Sequence, residues 1–117
     1  MKCLVVTTDR KMYPKDFGYP IRSNSVSKVL GGYMEIVRPM LLKRPYCILV
    51  NDEGRIRNLP INEFGTFLHQ DIIAGNLIIA KEGLVDGERD IIGLDDKELD
   101  GLIKRLADTI ELVKEPE

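Results

Sequence analysis

The chain has 117 residues, which suits one domain, 1–117, with a real core and is too short for two. Hydrophobic residues make up 44% and charged residues 31%, a globular composition that argues against intrinsic disorder. A net charge of -2 and a pI near 5.5 disfavour duplex nucleic acid as a partner, and no apolar run approaches the roughly 20 residues of a membrane span.

Strands and one short helix are predicted in the first third of the chain. Enrichment in Val and Thr predicts a strand over residues 3–8, and the aperiodic stretch 9–19 is interpreted as a long binding loop. Ser23-Asn24-Ser25 offers an N-cap for a helix that Gly31-Gly32 ends, because glycine adopts the left-handed C-cap geometry without penalty.

A hairpin follows and is expected to form the spine of the sheet. Residues 33–38 alternate and predict one strand, and the apolar run 46–51 predicts its buried partner. Residues 55–60 are expected to return as a short edge segment, because Pro60 cannot donate to a ladder.

The last third predicts one more buried strand and a long helix. Residues 61–68 are ambiguous, although Asn62 could cap a helix there, and residues 76–81 predict a strand. Residues 83–93 are interpreted as a connection that ends in a short strand. A capping box and an apolar stripe at helical spacing predict a helix over 95–113.

These elements predict an α+β fold, a mostly antiparallel sheet with a C-terminal helix packed on one face. A parallel, doubly wound sheet would need crossover helices between the strands. The sequence does not provide them.

Candidate catalytic and metal-binding groups are sparse. His69 is the single histidine and has no evident nucleophile as a partner, so we interpret it as non-catalytic. Cys3 and Cys47 are separate cysteines in apolar runs, typical of buried thiols in a reducing cytoplasm. The acidic stretch 86–90 is interpreted as a solvated loop. We therefore expect no enzyme activity, no metal and no cofactor.

The charge is unevenly distributed, and this suggests a binding role. Residues 1–60 carry 11 Lys and Arg against 5 Asp and Glu, whereas residues 61–117 carry 6 against 14. Either the surface of the first half is simply Lys-rich, or a basic face receives an anionic ligand.

Arginines could grip a phosphate, an aromatic ring could stack on a base and amides could orient it. Each of these side chains also has an ordinary structural explanation in a strand, turn or cap. The candidate ligand-binding residues are Tyr33, Arg38, Asn51, Arg55, Arg57 and Asn62.

Five segments, read in order, resemble a family of small proteins from phages, prophages and other bacterial mobile elements, known as a domain of unknown function. The resemblance covers roughly residues 26–100. Asp52 departs from the glutamate usual in that turn, and residues 13–19 have no counterpart. The matching segments are Leu30–Glu35, Asn51–Gly54, Leu59–Asn62, Ile73–Gly75 and Gly87-Glu88.

The resemblance implies a phage or mobile-element accessory protein that acts in the bacterial cytoplasm. Such a protein is expected to bind and sequester a phosphate-bearing nucleotide signal without converting it, as a counter-defence sponge. The alternative is an inhibitor that docks a host protein through its acidic helix or a face that mimics nucleic acid. A homo-oligomer, most simply a dimer, is expected because small domains often build a ligand site at a subunit boundary.

Overall fold

The computed structural model describes residues 2–19, 21 and 23–116. These residues form a mostly antiparallel sheet with helices packed against it. The predicted α+β class is confirmed. In these residues there are seven strands and three helices: β1 (Lys2–Val6), β2 (Lys11–Asp16), α1 (Ser23–Leu30), β3 (Met34–Val37), β4 (Tyr46–Asn51), α2 (Glu63–His69), β5 (Leu77–Val85), β6 (Glu88–Ile92), α3 (Asp96–Leu106) and β7 (Glu111–Leu112).

Strand β5 holds the sheet together. The strand order is β3-β4-β5-β1-β2-β7, and β6 pairs with the far half of β5. β4 lies antiparallel along one side of β5, whereas β1 and β6 follow each other along its other side. The pairing of β2 with β7 is parallel.

The two faces of the sheet bury two separate apolar cores. Side chains alternate between the faces of a strand, so Ile48 and Ile79 enter one core while their neighbours Leu49 and Ile78 enter the other. Leu99 and Leu102 of α3 cover the first core, with Phe64 of α2 packed against it. Helix α1 covers the second.

The predicted loop 9–19 is wrong, because residues 11–16 form β2 and pair with β1. Met12 is buried in one core and Tyr13 in the other, which removes the simple alternation that marks a half-buried strand. Pro14 also argues against a strand by sequence alone, although it lies where β2 has no β7 partner.

The predicted hairpin of β3 and β4 forms, but it is not the spine of the sheet. β3 lies at one edge, with Met34, Glu35 and Ile36 exposed, and β4 and β5 are central. The predicted edge segment 55–60 is also wrong. Residues 52–58 are a series of turns, and the next pairing is an isolated bridge between Ile61 and Ala74.

The predicted helix 95–113 begins as expected and ends early. Asp95 and Glu98 form the predicted capping box, but α3 ends at Leu106. Ile110 still enters the core beneath α3, whereas Val113 packs in the opposite core, which no continuous helix could achieve. The open edge of β2 accepts this segment instead. No helix in the described residues is long and apolar enough to cross a membrane.

The connection predicted over residues 83–93 is a hairpin. β5 continues to Val85, and β6 returns from Glu88 after a two-residue turn. Asp86 and Gly87 both have positive φ, 53° and 81°, as a turn of this kind requires. The Asp-Gly pair was the sequence signal for this hairpin.

Candidate functional site

A cleft of about 610 Å³ lies beside the edge of the sheet. β3 and β4 form its floor, the turns after β4 form one wall, and the segment after α2 forms the other. We call it the acidic cleft. Its lining residues are Glu35, Val37, Val50, Asn51, Asp52, Gly54, Arg55, Ile56, His69, Asp71, Ile72, Ile73 and Ala74.

Backbone hydrogen bonds fix the two walls against each other. The Asn62 N–H donates to the Ile73 carbonyl at 2.8 Å, and the Gly75 N–H donates to the Pro60 carbonyl at 2.7 Å. A Cβ on Gly54 would lie 2.6 Å from the Ala74 carbonyl oxygen, so only glycine allows the walls to approach this closely. The shape of the cleft therefore depends on backbone geometry.

Charged side chains of both signs line the acidic cleft. Glu35, Asp52 and Asp71 bring three carboxylates, and Arg55 brings one guanidinium. The ion pairs found in the described part of the chain involve none of these four groups. Asp71 Oδ1 accepts a hydrogen bond from the Ile72 N–H at 2.8 Å, and no ion pair within the described residues neutralises the charge of any of the four groups.

His69 adds an unsatisfied polar atom to the acidic cleft. It is the last residue of α2, and Gln70 ends the helix in the left-handed conformation with φ 60°. Its Nδ1 is buried and has no hydrogen-bond partner in the described residues. A buried polar atom without a partner costs about 1–3 kcal/mol, and because Nδ1 is buried, a ligand in the cleft could bond to it only after the imidazole ring moved.

Of the six predicted site residues, two line the acidic cleft. Arg55 is exposed there, in the first turn after β4. Asn51 is buried, and its side-chain amide is already engaged: Nδ2 donates to the Leu30 carbonyl at 3.0 Å, and Oδ1 accepts from the Glu53 N–H at 2.8 Å. Asn51 thus links the end of α1 to the turn that follows β4.

The other two predicted arginines lie elsewhere and are bound to protein groups. Arg38 follows the last residue of β3, at the opposite end of the strand from the turn after β4. It forms an ion pair with Glu82 of β5. Arg57 donates from Nη1 to the Gly31 carbonyl at 2.9 Å, at the end of α1. The structure therefore does not bring the three arginines together.

Tyr33 and Asn62 also lie outside the acidic cleft. Tyr33 is 78% exposed at the start of the β3–β4 pairing. Asn62 is 1% exposed and caps α2: its Oδ1 accepts from the Gly65 N–H at 3.0 Å, and its Nδ2 donates to the Val6 and Gly75 carbonyls at 3.2 and 3.1 Å. Its amide is fully used within the fold.

Sequence reasoning missed four lining residues: Glu35, Asp52, Asp71 and His69. A signal existed for Glu35, because strand alternation places it on the same face as Val37. His69 and Asp71 had no comparable signal, since their position depends on the long-range bonds between residues 60–62 and 73–75. In the described residues, no group of three or more His, Cys, Asp or Glu side chains could hold a metal ion.

Both cysteines are buried thiols, as predicted. Cys3 and Cys47 are 0% exposed, and desolvation by burial raises the pKa of each to about 12. Cys47 pairs with Ala80 on one side of β5, and the register of β1 brings Cys3 to its other side. Two strand spacings of about 4.8 Å separate them, beyond the reach of a disulfide.

Comparison with known sequences identifies the family of the chain. The chain matches the family described as Domain of unknown function (DUF3846) over residues 1–108. It has no significant match among curated proteins or solved structures. The match spans nearly all of the chain, and the protein therefore belongs to the DUF3846 family.

Proposed function

We propose that this protein binds a phosphate-bearing nucleotide in the acidic cleft and does not convert it. The observation that carries the proposal is that Arg55 and three carboxylates line the same space of about 610 Å³. Pockets for small molecules usually measure about 300–1,000 Å³, so a nucleotide fits this cleft.

The balance of charge in the acidic cleft favours a ligand with little negative charge. Arg55 can hold one phosphate through two parallel hydrogen bonds. Glu35, Asp52 and Asp71 accept hydrogen bonds, which suits ribose hydroxyls and the amino group of a base, but they repel further phosphates. A cyclic nucleotide, whose phosphodiester carries a single negative charge, matches this arrangement better than a nucleoside triphosphate.

The lining residues do not include the hydroxyl, thiol or amine nucleophiles of covalent catalysis. The thirteen residues around the acidic cleft contain no Ser, Thr, Cys or Lys, and in this proposal the three carboxylates accept hydrogen bonds from the ligand. Both cysteines lie in the core, and their raised pKa keeps them protonated.

The wider role is proposed from the resemblance of the sequence motifs. We propose that the protein is a phage or mobile-element accessory protein, that it acts in the cytoplasm of the bacterial host, and that it sequesters a nucleotide signal of host defence. We also propose a homodimer. The open edge of β3 supports pairing with a second copy, because an edge strand presents unpaired backbone groups.

Calorimetry against a panel of cyclic and ADP-ribose-type nucleotides tests the proposal. Arg55→Ala should weaken binding about 10- to 150-fold, the loss expected for a charged hydrogen bond to phosphate. Arg57→Ala is the matched control, because its guanidinium bonds to the Gly31 carbonyl outside the cleft. Binding to the control should stay within about twofold of wild type.

Three results would contradict the proposal: no nucleotide binds, the two variants bind equally well, or the ligand is turned over. Sedimentation of a monomer near 13.3 kDa at high concentration would contradict the dimer alone.

The alternative is that the protein docks a host protein. The surface that favours this alternative is the rim of the acidic cleft, whereas the acidic helix was expected. The exposed face of α3 carries Lys97, Lys104 and Arg105 as well as carboxylates, so it is not a uniformly acidic face. Ile56 and Ile72 are 80% and 42% exposed and both line the acidic cleft, and exposed apolar side chains that share one surface suit a protein partner. Loss of partner binding in Ile56→Asp would support this alternative.

A further inference from the structure

A second cavity, of about 470 Å³, lies on the side of the sheet that α1 covers. Residues of β2 and α1 line it, together with Asn76, Glu115 and Pro116. We call it the lysine pocket. The polar residues that line it are Tyr13, Lys15, Ser25, Lys28, Asn76 and Glu115.

Regular geometry brings the basic and hydroxyl groups together. Tyr13 and Lys15 are two residues apart on β2, so their side chains point to the same face. Ser25 and Lys28 are three residues apart on α1 and therefore lie on one side of the helix. The lysine pocket combines two ammonium groups with two hydroxyl donors.

The carboxylate in the lysine pocket is supplied by Glu115. β7 pairs in parallel with β2, with Lys11 beside Glu111, and the same register carried forward places Glu115 beside Lys15. The Lys15 Nζ lies 2.6 Å from Glu115 Oε2. Backbone bonds hold this segment as far as Val113, whose N–H donates to the Met12 carbonyl at 2.9 Å.

We propose that the lysine pocket is a binding site for a small phosphate-bearing anion, and that the Glu115 carboxylate is an internal competitor that the anion displaces. The pocket has the reverse of the charge balance in the acidic cleft, with two lysines against one carboxylate. A phosphate group in the place of Glu115 accepts hydrogen bonds from both ammonium groups and from the hydroxyls of Tyr13 and Ser25.

Glu115 is suited to displacement because its hold on Lys15 is weak. The Glu115 side chain is 43% exposed and that of Lys15 is 25% exposed, so water and salt screen part of their attraction. Within residues 23–116 the last backbone bond from this segment to β2 is that of Val113, so the Glu115 carboxylate can move away without breaking the β2–β7 pairing.

An NMR titration with inorganic phosphate, at low and constant ionic strength, tests the proposal. We expect amide shifts at Lys15, Lys28 and Val29 in the wild type. Lys28→Gln should weaken binding about tenfold or more, because a charged hydrogen bond is lost. Glu115→Gln should strengthen it about two- to fivefold, because the competitor is neutral. Lys104→Gln, which removes an equal charge from α3, should leave the affinity within about twofold.

A second titration, with adenosine monophosphate, shows whether the pocket prefers a free phosphate or a phosphate ester. Whichever of the two anions binds more tightly, the site is supported if its affinity changes in these variants as stated above. Weaker binding in Glu115→Gln, or equal losses in Lys28→Gln and Lys104→Gln, would overturn the proposal and leave an ordinary ion pair. Arg55→Ala should not alter these shifts, so the outcome is independent of the acidic cleft.

Discussion

Arg38 and Glu82 form a two-point ion pair that spans strand β4. The Arg38 Nε lies 2.9 Å from Glu82 Oε2, and Nη2 lies 2.5 Å from Oε1. Arg38 follows the edge strand β3 and Glu82 belongs to β5, so the pair ties the edge to the centre of the sheet. The hydrogen bonds from Arg38 lower the pKa of Glu82 below its ordinary value of 4.5.

We expect the contribution of this pair to stability to depend on pH. Because the folded-state pKa of Glu82 is lowered, the stabilisation is complete above about pH 4.5 and disappears as the pH falls through that lowered pKa. Arg38→Gln should lower the free energy of unfolding near neutral pH, and this loss should be smaller at about pH 3. Urea unfolding at both pH values, beside Lys104→Gln, measures this. An equal loss at both pH values would show that Arg38 stabilises by packing.

Asn62→Ala should destabilise the protein strongly, because one side-chain amide makes three hydrogen bonds within the fold. The substitution removes the cap of α2 and the donor to the Val6 and Gly75 carbonyls, for an expected loss of about 2–4 kcal/mol in the free energy of unfolding. Asn24→Ala, at an exposed position in α1, should change it by less than about 0.5 kcal/mol. Similar melting temperatures for the two variants would contradict this role of Asn62.

Two glycine-to-alanine substitutions should have opposite effects. In Gly54→Ala the new Cβ meets the Ala74 carbonyl oxygen at 2.6 Å, and relieving that overlap should cost about 1–3 kcal/mol of stability. Gly101 lies within α3 with nothing within 4 Å of a Cβ, so Gly101→Ala should stabilise by about 0.5–1 kcal/mol. Thermal unfolding of both variants checks the sign of each change.

Both thiols should resist modification in the folded protein. A pKa raised from 9.0 to about 12 leaves about a thousandfold less thiolate at any pH well below 9, and neither side chain is exposed. An aromatic disulfide reagent at about pH 8 should therefore react slowly, and quickly once urea unfolds the chain. A thiol that reacts rapidly in the native protein would contradict the burial of that cysteine.

Local signals predicted the parts of the fold that local bonds determine. Asp95 and Glu98 formed the expected capping box, and Gly31 ended α1 with φ 77°. β2 was missed because its residues are buried on both faces and interrupted by Pro14, and its pairing with β1 is established only by the sheet. The end of α3 was missed because the open edge of β2 competes for residues 111–113.

The candidate site was harder to predict than the fold. Arg38, Arg55 and Arg57 were grouped because they are close in sequence. Two of them have partners within the protein: Arg38 pairs with Glu82, and Arg57 donates to the Gly31 carbonyl. Arg55 remains in a lining position, but its neighbours in the acidic cleft come from β3 and from the segment after α2. Distance along the chain did not predict which side chains share a cavity, because the bonds between residues 60–62 and 73–75 decide it.

The central place of β5 has a consequence for synthesis on the ribosome. The β1–β2 hairpin and the β3–β4 hairpin share no strand with each other, and both join the sheet through β5, which begins at Leu77. A nascent chain of 76 residues would hold two unjoined hairpins, and an isolated hairpin is at best marginally stable in water. At about 5–20 residues added per second, the emerging chain spends several seconds in this state. We therefore expect cooperative folding only after β5 has left the exit tunnel.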